Sequence, residues 1–265
     1  MSMKSFLVDT SKCTGCRACQ SACKKWNSLP AEETAFSGKI EYTNPVSLSA
    51  KTWTRVKFNR FGVNGINESW SLVHQKCNHC TDAECIKVCP EKALYKVDGW
   101  TVVDHDRCIG CGACEKRCPY GSVHVLYKPA EGMKSFKSYK CHACVPTGAD
   151  SPRCVAACPT GALTFGQRMR IISTAKKREA ELKKVYPSAS VFGLEQYGGL
   201  NVITVFKDKA LAPDGSRGND DASGRTIGAH MIYACLKSAS FGIPALKRKA
   251  WKISSSLSGH DEHNG

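Results

Sequence analysis

The cysteines are the residues of this sequence whose number and spacing indicate chemistry. Seventeen occur in 265 residues, and sixteen of them fall into four groups of four. An odd total excludes complete internal disulfide pairing, and thiols so close in sequence suit metal binding better than the cross-linking of distant segments. We therefore expect reduced metal ligands. Groups one to four are Cys13, Cys16, Cys19 and Cys23; Cys77, Cys80, Cys85 and Cys89; Cys108, Cys111, Cys114 and Cys118; and Cys141, Cys144, Cys154 and Cys158.

Groups one and three have the spacing C-x2-C-x2-C-x3-C. In iron–sulfur proteins, three cysteines of such a run wrap one 4Fe–4S cluster and the fourth ligates a neighbouring cluster. Zinc is the competing metal, because group four, C-x2-C-x9-C-x3-C, would suit a zinc site if it stood alone. The four groups together, three of which end in Cys-Pro, favour iron–sulfur clusters. Cys235 is left over, and its default interpretation is a small buried hydrophobe.

The composition is basic, with a formal net charge of +15. Four oxidised clusters with their thiolates carry about −2 each, which leaves roughly +7 for the loaded protein. We find no basic-aromatic recognition motif and no phosphate-binding glycine loop, so nucleic-acid and nucleotide binding are not expected. The N-terminal stretch lacks the features of a secretory signal. No apolar run is long enough to span a bilayer; residues 226–246 come closest, and we predict a partner-docking helix there.

Between and after the cysteine groups, hydrophobic periodicity predicts ordinary secondary structure. The alternation of Trp53, Val56 and Phe58 indicates a short strand in TWTRVKFNRF, within the insert between groups one and two. Further predicted elements are a hairpin at residues 95–104 with its turn at Asp98-Gly99, a strand at 162–166, a helix closed by Pro187, a strand at 200–206 and an exposed loop at 212–224.

The run CIGCGACEKRCP, residues 108–119, is similar to the cluster-binding runs of bacterial two-cluster ferredoxins. Four such groups in one chain resemble the four-cluster electron-transfer subunits of molybdenum or tungsten bis-pterin oxidoreductases, over about residues 6–166. Two further stretches, CRACQSACKKWNSLPAEET at 16–34 and AKKREAELKKVYPSASVFG at 175–193, look like the beta subunit of formate dehydrogenases.

This resemblance implies an α+β fold with two ferredoxin-like modules, each holding two 4Fe–4S clusters, together with inserts and an α/β C-terminal docking extension. Residues 1–166 would form the double iron–sulfur domain. Groups two and three, about residues 72–128, would make one module, and groups one and four the other. Residues 167–265 would form the extension, with a helix, a strand, a loop and a partner-docking segment.

The family also implies how the groups share ligands, in a nested scheme of four sites. Spacing alone leaves open the pairing of group one with two and of three with four. The implied iron ligands are Cys13, Cys16, Cys19 and Cys158 at site A; Cys23, Cys141, Cys144 and Cys154 at site B; Cys77, Cys80, Cys85 and Cys118 at site C; and Cys89, Cys108, Cys111 and Cys114 at site D.

The function implied is that of an electron-transfer subunit with no catalytic residue of its own. A large partner with a molybdenum or tungsten bis-pterin centre and its own cluster would oxidise formate. Electrons would leave to a cytochrome, a membrane quinone-linked subunit or a soluble carrier. The alternatives are the same role in a sulfur-compound, nitrite or dimethyl sulfoxide type reductase, and a free-standing polyferredoxin. The expected location is the periplasmic side of the membrane, by export beside the catalytic partner, with the cytoplasm as the alternative.

Lys87, Arg107, Lys116 and Arg117 lie next to ligands in sequence. Positive charges so placed would raise cluster potentials by favouring the additional negative charge of the reduced form. The alternative interpretation is that these are solvated surface residues.

Overall fold

Helices and strands both contribute to the fold. The structure is a computed structural model that describes residues 3–34, 43–63 and 66–213. The helices are α1 (Ala18–Trp26), α2 (Glu84–Lys87), α3 (Ala113–Arg117), α4 (Arg153–Ala156) and α5 (Arg168–Lys183), with 3₁₀ turns at Val145–Thr147, Gln196–Gly198 and Lys209–Leu211. The strands are β1 (Lys4–Asp9), β2 (Thr54–Val63), β3 (Ile66–Lys76), β4 (Leu94–Val97), β5 (Trp100–Val103), β6 (His124–Leu126), β7 (Lys137–Tyr139), β8 (Leu163–Gln167), β9 (Ser190–Phe192) and β10 (Val202–Phe206).

A four-stranded sheet in the order β8-β1-β10-β9 lies between the cysteine groups and helix α5. Strand β1 is parallel to β10 and antiparallel to β8, and β9 is antiparallel to β10. Successive side chains of a strand point to opposite faces. On one face of β1, Phe6 and Val8 pack with Cys19 and Cys154, whereas Leu7 packs on the other face beneath α5. The sheet therefore supports the cysteine groups from one side.

Three two-stranded hairpins pair β2 with β3, β4 with β5, and β6 with β7. The hairpin predicted at residues 95–104 is confirmed. Its turn residues, Asp98 and Gly99, have φ values of 49° and 85°, the left-handed pair that a type I′ turn requires. The strand predicted in TWTRVKFNRF is confirmed as β2, but Trp53 precedes the strand and packs in a different cluster from Val56 and Phe58.

The chain after group four continues into the same sheet. The predicted strand, helix and second strand of this region are present as β8, α5 and β10. Because β10 pairs with β1 and β9 pairs with β10, the strands of this region extend the sheet that contains the N-terminal strand. Most of the predicted loop, the predicted docking helix at 226–246 and Cys235 lie outside the described residues. Within the described ranges, no helix is both long and apolar enough to cross a membrane.

An ion pair holds α5 against β1. The Asp9 carboxylate has 3% of its side chain exposed; it accepts a 3.0 Å bond from Arg178 Nε and a further bond from the Ser11 backbone N–H. Replacing one partner of a buried pair leaves the other charge with too few partners, which is strongly destabilising. Because Arg178 is itself 29% exposed, we expect a smaller cost for Arg178→Ala, about 2 kcal/mol.

That cost corresponds to a fall of about 4–8 °C in the apparent thermal midpoint of the anaerobic protein. Lys183→Ala provides a matched control on the same helix, because Lys183 pairs with Glu179 at 2.8 Å on the surface. Such exposed pairs contribute about 0.5 kcal/mol or less. Equal shifts in the two variants would contradict a special role for the pair between α5 and β1.

Candidate metal centres

Each cysteine group begins with a C-x-x-C loop of the same backbone shape. The residue before the second cysteine has a positive φ in every group; these residues are Gly15, His79, Gly110 and Ala143. The left-handed turn lets a backbone N–H point back at the first sulfur of the loop. The N–H groups of His79 and Ala143 donate to the Sγ atoms of Cys77 and Cys141, both at 3.4 Å. The loops therefore present sulfur atoms already aligned with backbone dipoles.

The Cys-Pro pairs end three groups with a second repeated hydrogen bond. The N–H four residues after the cysteine donates to its sulfur, from Ala93 to Cys89 at 3.2 Å and from Ser122 to Cys118 at 3.3 Å. Cys158 receives backbone N–H donors in the corresponding turn. Proline fits after the cysteine because the chain turns there without needing that N–H. Hydrogen bonds of this kind stabilise thiolate over thiol.

Three cavities in the described part of the chain are each lined by four thiols. They are lined by Cys23, Cys141, Cys144 and Cys154; by Cys77, Cys80, Cys85 and Cys118; and by Cys89, Cys108, Cys111 and Cys114. Helix α1 packs on α4, which brings group one beside group four. Helix α2 packs on α3, which brings group two beside group three. These are the sets expected at sites B, C and D.

The four cysteines expected at site A lie together near the surface. Burial raises the pKa of Cys13, and the neighbouring thiols of Cys158 and Cys16 raise it further. Burial also raises the pKa of Cys19 to about 12, with added contributions from Cys154, Cys13 and Cys16. Cys16 is exposed, whereas Cys13 and Cys158 are half-buried. The proximity of Cys19 and Cys154 places site A beside site B.

The chemistry of these donor sets fits 4Fe–4S clusters. All sixteen grouped thiols are free of disulfides. Among the residues that the structure describes, no three His, Cys, Asp or Glu side chains form a group that could hold a single metal ion. The thiols instead surround volumes, as four thiolates do around the corners of a cubane.

Sequence comparisons agree with this chemistry. Residues 68–168 match the family described as a 4Fe–4S dicluster domain, and residues 4–25 match a 4Fe–4S binding domain. The chain is 37% identical over 204 residues to the formate dehydrogenase, nitrate-inducible, iron-sulfur subunit of Escherichia coli K12, covering 75% of this chain and 66% of that one. It is 36% identical over 185 residues to the B subunit of the anaerobic dimethyl sulfoxide reductase of the same organism, covering 69% and 80%.

This polypeptide belongs to the family of iron–sulfur subunits that includes these formate dehydrogenase and dimethyl sulfoxide reductase subunits. A third relative, the formate dehydrogenase iron-sulfur subunit of Haemophilus influenzae, is 35% identical over 204 residues, which cover 75% of this chain and 63% of the relative. The match to the formate dehydrogenase subunits therefore spans slightly less than two thirds of their length. The resemblance derived from the cysteine runs is thereby confirmed at the level of the family.

Burial makes the ligand thiols of this iron–sulfur subunit weak acids. It raises the pKa of Cys85 and Cys114 to about 12 and that of Cys154 to about 11. A thiol must lose its proton to bind iron, so a cluster bound by these cysteines would displace their protons. Buried cations favour that loss: Lys140 lowers the pKa of Cys85, and Lys76 lowers the pKa of Cys154.

Three of the four cations that the sequence singles out, Lys87, Arg107 and Arg117, lie on the surface instead. Lys87 and Arg117 both form ion pairs with Glu84, and their side chains are 52% and 65% exposed. Arg107 is exposed and donates to a backbone carbonyl, and Lys116 is half-buried. The pairing of Lys87 and Arg117 with Glu84 offsets their charge, which favours the surface interpretation for these two residues.

Three residues near the sites are not evident from the cysteine pattern. Lys76 and Lys140 are 4% and 2% exposed and directly precede the first cysteines of groups two and four. Ser138, on β7, lines the cavity of site D. Its N–H donates to Cys108 Sγ at 3.4 Å, and its hydroxyl lies 3.2 Å from Cys114 Sγ. The Lys-Cys pairs are visible in sequence, but nothing local shows that those lysines are buried.

Proposed function

We propose that this chain is the four-cluster electron-transfer subunit of a formate dehydrogenase complex. It relays electrons between a molybdenum or tungsten bis-pterin catalytic subunit and a cytochrome, a quinone-linked membrane subunit or a soluble carrier. The observation that carries the proposal is the grouping of sixteen free thiols into four sets, three of which each line one cavity. In this proposal the sets at sites A, B, C and D each hold one 4Fe–4S cluster.

The four sites follow one another in space, which supports a single path. Sites A and B meet where Cys19 approaches Cys154. Sites B and C share one packed cluster that contains Cys23, Cys141 and Cys77. Cys85 of site C lies beside Cys114 of site D. The order along the path is therefore A, B, C, D, in two modules, with sites A and B in one and sites C and D in the other.

The exposure of the ligands supports electron entry and exit at the two ends. Cys16 of site A is exposed, and Cys89 and Cys111 of site D are half-buried, whereas all four ligands of site B are buried. A 4Fe–4S cluster accepts and releases one electron at a potential set by hydrogen bonds, charge and burial. The chain supplies those three quantities, and site B, with all four of its thiols buried, is the most shielded of the four sites.

The choice of formate rests on the relatives and on residues 16–34 and 175–193. The near-equal identity to a dimethyl sulfoxide reductase subunit, 36% against 37%, supports a second candidate, the same role in another bis-pterin reductase. Purification of the complex from its native host separates the two. We expect formate to reduce a viologen dye in that complex, and dimethyl sulfoxide to leave reduced dye unchanged. The opposite result favours the second candidate, and a lone chain on gel filtration favours a free-standing polyferredoxin.

We also propose that the complex faces the periplasm, because in the family that the chain resembles the beta subunit often crosses the membrane folded beside a partner that carries a twin-arginine signal. A twin-arginine signal at the N-terminus of the catalytic subunit that purifies with this chain is the expected result. A partner without such a signal supports the cytoplasmic alternative.

A further inference from the structure

The buried side chain of Lys76 lines the cavity of site B. The residue is 4% exposed and lines the cavity together with the four cysteines of that site. Its Nζ atom lies over the ring of Phe6, 2.7 Å from the centroid. That ammonium group is buried and has no hydrogen-bond partner among the described residues.

The other lysines near the sites have their ammonium groups satisfied by backbone carbonyls. Lys140 donates to the carbonyls of Thr101 and Cys141. Lys96 donates to those of Cys80 and Gly99. A buried ammonium without such acceptors costs several kcal/mol, so an unpartnered one indicates an acceptor or anion supplied by something else. For Lys76, we infer that this anion lies in the cavity that the four thiols of site B line.

Lys76 lines the same cavity as the thiols of Cys144 and Cys154. The nearby His74 is not a second cation. Its pKa is lowered to about 3, first by burial and then by Lys76 itself, so its ring is neutral. Lys76 is therefore a buried cation that lines site B without a hydrogen-bond acceptor among the described residues.

We propose that Lys76 is a positioning residue that raises the reduction potential of the cluster at site B through its charge and its N–H donors. The inference rests on the proposed function, because it takes site B to hold a 4Fe–4S cluster. Reduction adds one electron to the cluster and no proton, and the thiolate-ligated cluster becomes more negative by one charge. A fixed ammonium beside it favours that reduced form.

The test is a potentiometric titration of the anaerobic holo-complex, with dithionite as reductant and the reduced clusters followed by EPR. The EPR component that changes in the Cys23→Ser variant is assigned to the cluster at site B. In Lys76→Met we expect the equilibrium between the reduced and oxidised forms of that component to move at least tenfold toward the oxidised form. For a one-electron couple this is a midpoint about 59 mV lower. The other components should remain in place.

Two matched variants separate charge from packing. Lys76→Arg retains the positive charge and should keep the midpoint close to that of the unaltered protein. Lys12→Met removes a lysine that also directly precedes the first cysteine of a group but is exposed, and it should leave all components unchanged. An unshifted site B component in Lys76→Met, or an equal shift in Lys76→Arg, would overturn the proposal.

Loss of the cluster has its own interpretation. Lys76→Gln provides a second neutral variant if Lys76→Met fails to assemble site B. Loss from both neutral variants with retention in Lys76→Arg supports the proposal, because assembly then requires the charge itself. Loss from all three overturns it in favour of a packing role. An unaltered protein that shows no cluster component sensitive to Cys23→Ser refutes the proposed function at site B instead.

Discussion

Cys13→Ser and Cys158→Ser should each damage one of four clusters, and the double variant should damage the same single cluster. The two residues are 145 positions apart in sequence, but their thiols meet at site A, where Cys158 acts on the Cys13 thiol. Effects of substitutions on residues that act as one unit are not additive. The measurement is the iron content of anaerobically purified protein together with the number of EPR components that change. We expect about four of about sixteen irons to be affected in all three proteins.

The control pairs Cys158 with a cysteine of its own group. Cys141→Ser combined with Cys158→Ser should damage two clusters, because the nested scheme places these residues at sites B and A. Cys235→Ser, outside the four groups, should leave the iron content unchanged. The opposite pattern, with two clusters damaged in the Cys13 and Cys158 double variant and one in the Cys141 and Cys158 double variant, would mean that each group binds its own cluster.

Gly110→Ala should abolish site D. Gly110 has a φ of 70° in the C-x-x-C loop of group three, and an added Cβ would lie 2.2 Å from the Phe136 carbonyl oxygen. That carbonyl cannot easily move aside, because the N–H of Phe136 is held by the Leu126 carbonyl at 2.6 Å. The loop must therefore shift and carry Cys108 and Cys111 with it. We expect a cost of about 4 kcal/mol or more, beyond the 1–3 kcal/mol of backbone strain alone.

Gly121→Ala is the matched control for that substitution. Gly121 also has a positive φ, 54°, but nothing lies within 4 Å of its added Cβ. The variant should therefore show backbone strain only, about 1–2 kcal/mol, and keep all four clusters. The readouts are iron content, EPR and the apparent thermal midpoint. Retention of the site D component in Gly110→Ala would contradict the close approach of the loop to Phe136.

The cysteine pattern predicts much of the site because the position of each sulfur atom depends on residues nearby in sequence. The C-x-x-C loops and Cys-Pro turns place their sulfur atoms through hydrogen bonds within four residues, so spacing carries the information. The Asp98-Gly99 hairpin turn is local in the same sense. The parallel pairing of β1 with β10 is different, since the Thr10 hydroxyl bonds the Val205 carbonyl 195 residues away. Only tertiary packing selects that pairing, so the sequence alone suggests a separate extension there.

Burial of individual charges is equally hard to predict from sequence. Lys12, Lys76 and Lys140 each directly precede the first cysteine of a group. In the folded protein, Lys12 is exposed, whereas Lys76 and Lys140 are buried beside the sites. The difference arises because Lys76, the last residue of β3, lies over the ring of Phe6, a residue of β1 that is distant in sequence. Sequence adjacency to a ligand therefore says little about which cation acts on a cluster.

The presence of four 4Fe–4S clusters is tested most directly by the metal and sulfide content of the anaerobically purified chain, with EPR of its reduced form. We expect about sixteen irons and about sixteen acid-labile sulfides per chain, with signals from interacting 4Fe–4S clusters after reduction. About four zinc ions per chain without sulfide, or a colourless protein that does not respond to reductant, would contradict it.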